Sequence, residues 1–129
     1  MISKSHVLTT AWCTTLGESK IKVLIGDGSK VAVSTITDDP LYNINTDQND
    51  FSILTLAQAV TFSDKVSPAC LPADVTQDYA GQEATVIGWG ITEDGSRPSV
   101  LQEANVTVIT NKECQSDWSA YPGHVSEYA

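Results

Sequence analysis

The sequence predicts an all-β protein. Strand-favouring segments recur between turn signals, each turn signal has a stereochemical reason, and helical spacing is absent until Thr110. Strands are expected at residues 7–11, 21–25, 31–36, 51–56, 83–88 and 100–109. Between them, Asp27-Gly28 supplies a residue tolerant of positive φ, Pro40 disfavours helix at Asp39, and Asp94-Gly95 marks a further tight loop. Residues 57–81 contain Pro68 and Pro72 without sustained periodicity, which predicts a connector between two β units. The run Thr110-Asn111-Lys112-Glu113 is a capping box: the threonine oxygen takes a first-turn amide and the glutamate reaches back. One short helix to about residue 118 is expected to follow.

Composition removes several function classes. The formal charge of −9 argues against nucleic-acid binding, which needs clustered Lys and Arg to displace counterions from phosphate. With 41% hydrophobic and 18% charged residues the chain is too apolar for a disordered tail. No apolar run approaches the ~18 residues of a spanning helix, so no membrane partner is expected. The opening Met1-Ile2-Ser3-Lys4-Ser5-His6 carries neither an apolar signal core nor a small-residue cleavage site. Cys13, Cys70 and Cys114 are odd in number and lack paired metal or redox spacing, leaving either three buried thiols or three halves of bridges.

Most polar clusters carry no chemistry by themselves. Asn43, Asn45, Asp47, Asn49 and Asp50 alternate like oxygen ligands, but Gln48 and Leu54 stand where a calcium loop needs glycine and glutamate. A polar loop before a strand is expected there, and no metal or cofactor. Gly26-Asp27-Gly28 lies between strands and does not open a phosphate-binding helix. His6 and His124 fit no ligand spacing and are expected at the surface. Asn105-Val106-Thr107 is a glycosylation sequon, usable only in a secreted protein with that asparagine facing out.

Three stretches read together change this picture: Val7-Leu8-Thr9-Thr10-Ala11-Trp12-Cys13, Asn49-Asp50-Phe51-Ser52-Ile53-Leu54 and Gly88-Trp89-Gly90. With Pro68-Ala69-Cys70-Leu71-Pro72 and Leu101-Gln102 in register, the chain resembles a trypsin-like serine protease over essentially its whole length. The resemblance implies a partial double antiparallel β-barrel. Residues 1–56 would be the latter part of the first barrel, 57–81 the inter-barrel connector and 82–129 the start of the second. It also implies an extracellular protein acting on, or binding, proteins or peptides. Met1 would fall within the third strand of the first barrel. Cys13 would pair with a cysteine upstream of Met1, Cys114 with one beyond Ala129, and Cys70 outside the region covered.

The same resemblance implies a chemical break. Asp50 matches the position of the catalytic aspartate, but Trp12 occupies that of the histidine. An indole nitrogen only donates, so it can neither take a serine proton nor return it to a leaving amine. The Gly-Asp-Ser-Gly-Gly segment that supplies the nucleophile and oxyanion hole does not occur within these residues; neither Asp27-Gly28-Ser29 nor Asp94-Gly95-Ser96 continues that way. The expectation is a serine endopeptidase domain that is inactive as given, or alternatively a non-catalytic homologue acting as a protein-binding module. Incomplete barrels with open strand edges also predict a marginal, association-prone chain.

Overall fold

The computed structural model describes residues 1–15 and 21–118. In chain order these form β1 (His6–Thr9), α1 (Ala11–Thr15), β2 (Lys22–Leu24), β3 (Lys30–Asp38), β4 (Ser52–Leu56), β5 (Glu83–Gly88), β6 (Gln102–Thr107) and α2 (Asn111–Asp117). All six expected strands are present. One expectation needs correction: a helix was foreseen only near the C-terminus, whereas α1 is a second, and it takes the end of the strand expected at 7–11. His124 lies outside the described residues. The chain divides into two compact units, one comprising Met1–Ala73 and the other beginning at Asp74.

In the first unit, four antiparallel strands are ordered β1-β4-β3-β2. The central β4 carries Ser52, Leu54 and Leu56 on its buried face, the two-residue alternation of a strand packed against a core. Its neighbours fix its register: Thr9 faces Ser52 across β1, and Asp38 faces Ser52 across β3. A shift of register between Val33 and Thr35 leaves Ser34 out of the ladder, and its hydroxyl instead donates to the Thr55 carbonyl at 3.1 Å. Leu56, Val60 and Val66 form a small core, with Met1, Val7, Val23, Ile25, Val31 and Phe62 packed around it.

The residues after β4 are stitched onto this unit. Val60 N–H donates to the Lys4 carbonyl and Ala69 N–H to the Met1 carbonyl, both at 2.8 Å. The turn from β2 to β3 approaches the same segment closely. A Cβ on Gly26 would collide with the backbone carbonyl oxygen of Lys65. Gly26→Ala must therefore displace backbone. It is expected to cost about 1–3 kcal/mol, as overpacking does, and a urea titration showing an unchanged midpoint would contradict this contact.

The second unit is built around a hairpin. β5 and β6 pair in strict register from Glu83↔Thr107 to Gly88↔Gln102. Because side chains alternate, Ala84, Val86, Ala104 and Val106 share one face while Glu83, Thr85, Glu103, Asn105 and Thr107 share the other with Ile87. The ribbon is thus amphipathic. At its C-terminal end, α2 begins with the expected capping box: Thr110 Oγ1 accepts from Glu113 N–H at 3.1 Å, and Glu113 Oε2 accepts from Thr110 N–H at 2.9 Å. The backbone amide and then the hydroxyl of Thr110 hold the Glu113 carboxyl below its ordinary range.

The loop joining β5 to β6 contains a tight turn organised by one carboxylate. Asp94 Oδ1 accepts from Thr92 Oγ1 at 2.5 Å and Ser96 N–H at 3.0 Å, while Gly95 adopts a φ of +80°. These bonds, the threonine hydroxyl foremost, lower the Asp94 carboxyl from 3.8 to about 2. Since the folded value lies below the unfolded one, the turn's stabilisation is complete above the unfolded value and is lost as pH falls through about 2. A carboxyl-detected NMR titration should place the midpoint there, and Thr92→Val should raise it towards the ordinary value. Coincident titrations of the two proteins would contradict this account.

Candidate functional site

Strand topology brings the two predicted site residues together. β1 and β4 are antiparallel neighbours, so the end of β1 and the start of β4 lie at the same end of the sheet. Trp12 follows the first and Asp50 precedes the second. The Trp12 backbone N–H donates to Asp50 Oδ1 at 2.7 Å, across 38 positions of sequence. A charged acceptor on a backbone amide is a stronger bond than a neutral pair. It satisfies an amide at the start of α1 that a one-turn helix leaves without an internal partner.

The rest of α1 is tied to the sheet in the same manner. Thr14 is 1% exposed; its hydroxyl donates to Asp38 Oδ1 at 2.6 Å and lies 2.7 Å from the Ala11 carbonyl oxygen. Ala11 is fully buried, and Cys13 N–H reaches Thr10 Oγ1 at 3.4 Å. The Trp12 side chain, by contrast, is 51% exposed. The site therefore holds a half-buried carboxylate bound to the tryptophan's backbone, while the indole itself faces solvent.

The loop that precedes Asp50 is polar and bonds its own backbone. Asp39 Oδ1 accepts from Leu41 N–H at 2.7 Å, Asn43 Oδ1 accepts from Asn45 N–H at 3.0 Å, and Asn49 Nδ2 donates to the Leu41 carbonyl at 3.2 Å. Asp47 and Asn49 adopt left-handed φ values of 53° and 57°, which short polar side chains tolerate. Several of the residues spaced like calcium ligands are thus spent on shaping their own loop. Among the described residues no group of three or more His, Cys, Asp or Glu is arranged to hold a metal ion. The loop also carries Tyr42, whose buried hydroxyl finds no partner among the described residues. Burial pushes its phenol up, and the carboxylates of Asp50, Asp47 and Asp38 push in the same direction.

His6 stands at the far end of β1, opposite Thr55, with Nδ1 2.8 Å from Ser3 Oγ. Three strand steps separate it from Thr9, roughly 10 Å of chain. The structure does not bring it to Asp50. Cys13 and Cys70 are exposed and Cys114 is half-buried, all as free thiols. Sequence reasoning missed the Thr14–Asp38 pair and Tyr42. Nothing local marks Thr14, because its partner is set by the pairing of β3 with β4.

The expected architecture is matched by known structures. A scabies mite inactivated protease paralogue, S-D1, superposes with a TM-score of 0.83 over 95% of this chain and 57% of that one, at 23% identity. The Trypsin family model matches residues 1–128. Trypsin 5G1 of Aedes aegypti is 32% identical over 130 residues, covering 95% of this chain and 49% of that protein. Trypsin of Sus scrofa is 30% identical over 128 residues, covering 98% and 53% respectively. The chain thus spans about half the length of these two trypsins. It belongs to the trypsin family of serine proteases, and its all-β fold is a partial trypsin-like one.

Proposed function

We propose that this chain is a trypsin-like serine protease domain whose inherited peptide hydrolysis is lost, with Asp50 at the retained aspartate position and Trp12 in place of the histidine. One observation carries the reading: Asp50 bonds the backbone of Trp12, so the residue beside the carboxylate is an indole. In the family's mechanism a histidine takes the serine proton and returns it to the leaving group, while the aspartate orients and stabilises the imidazolium. Indole nitrogen has no lone pair free for that proton. The match to a protein described as an inactivated protease paralogue supports the reading.

The proposed division follows the family: residues 1–56 from the first barrel, 57–81 connecting and 82–129 opening the second. Family membership also supports an extracellular protein, with Cys13, Cys70 and Cys114 as halves of disulfide bridges. The alternative, a non-catalytic homologue that binds proteins or peptides, is favoured by one feature: Trp12 and Phe51, flanking the site, leave about half their surface open to a partner. A serine-directed fluorophosphonate distinguishes an enzyme from either reading. Neither this chain nor a longer protein containing it should be labelled, and covalent labelling would overturn the loss of catalysis.

A further inference from the structure

We propose that Asn105 is an N-glycosylation acceptor, a reading that rests on the extracellular assignment above. Asn105-Val106-Thr107 is the only Asn-x-Ser/Thr triplet in the 129 residues. The acceptor sits in the middle of β6, directly opposite Thr85. Its side chain is exposed, on the polar face of the hairpin that also carries Glu83, Glu103 and Thr107. The apolar face, with Ala84, Val86, Ala104 and Val106, points the other way.

This placement decides whether a sugar is tolerable. Glycosylation precedes completion of folding, so the folded strand must accommodate a bulky polar group at the acceptor. Here the sugar would extend from the polar side and leave the apolar side free for packing. A one-residue slip in register would have put it on the apolar face instead. The folded side chain is also compatible with the sugar: Thr85 Oγ1 donates to Asn105 Oδ1 at 3.1 Å, a bond that does not use Nδ2, which has no protein partner among the described residues. In the transfer, Nδ2 attacks the anomeric carbon of a polyprenyl-diphosphate oligosaccharide. A nitrogen–carbon bond forms, the carbon–oxygen bond to diphosphate breaks, polyprenyl diphosphate leaves, and the amide proton passes to a base of the transferase.

The test is translation of the full chain, preceded by a cleavable signal peptide, in the presence of microsomes, with protease protection to establish lumenal delivery. A single upward gel shift reversed by peptide N-glycosidase F is expected. It should disappear in Asn105→Gln and Thr107→Ala and persist in Thr107→Ser. A protease-protected chain that remains unshifted overturns the site, as does a shift that survives Asn105→Gln. Glycosylation in microsomes of a protein that its own cells retain in the cytosol would support the site while overturning the extracellular assignment.

Discussion

Purified protein is expected to hydrolyse a peptide amide about a million-fold more slowly than a working trypsin-like enzyme, a barrier increase of about 8 kcal/mol. That figure is the cost of losing the serine–histidine unit, whose proton-accepting half is the one that Trp12 is proposed to replace. Asp50 cannot replace the missing base. Its Oδ1 is bound at 2.7 Å by the Trp12 backbone, and in the family mechanism the aspartate acts on the imidazole rather than on the hydroxyl. His6 cannot replace it either, because it lies at the opposite end of β1. Initial rates on a chromogenic amide, measured for the protein and for Asp50→Asn, check the argument. Turnover that is readily measurable and collapses in Asp50→Asn would show that a proton relay through this carboxylate survives.

Leu56→Ala is expected to destabilise the first unit by about 2–5 kcal/mol, the range for truncating a large aliphatic side chain in a core. Leu56 is 5% exposed and forms the core with Val60 and Val66. Such a core has little capacity to absorb a lost side chain, since the cost combines lost transfer free energy with the cavity left behind. The variant tests position as well as size: Leu56 N–H donates to the Ser5 carbonyl at 2.8 Å, a bond that alanine keeps. Any loss therefore reports side-chain packing. Equilibrium urea unfolding followed by tryptophan fluorescence reads it, and a midpoint equal to that of the parent protein would show that this core does not carry the unit's stability.

How much was legible in the sequence depended on where each element's determinants lie. β5 was readable to the residue, and α2 closely so, because its capping box is four consecutive residues. β6 was expected over 100–109 but spans Gln102–Thr107, since β5 ends at Gly88 opposite Gln102 and offers Val100 and Leu101 nothing to pair with. The length of that strand belongs to its partner. α1 was missed for a similar reason: Ala11-Trp12-Cys13-Thr14-Thr15 has no strong helical preference of its own. It turns because Asp50 holds the Trp12 amide and Asp38 holds the Thr14 hydroxyl.

The sequence by itself determined the strand segments, the turn chemistry and the family likeness, from which the proposed place of Trp12 at the histidine position follows. All of these are written in residue identity and short-range order, through backbone preferences that act over a few positions. Only the tertiary structure decided that Asp50 and Trp12 meet, that Thr14 is buried against Asp38, and that Asn105 faces away from the apolar side of its hairpin. Those outcomes depend on strand register and on bonds spanning 20 to 38 positions. Antiparallel pairing turns such sequence distance into contact, and no local preference contains that information.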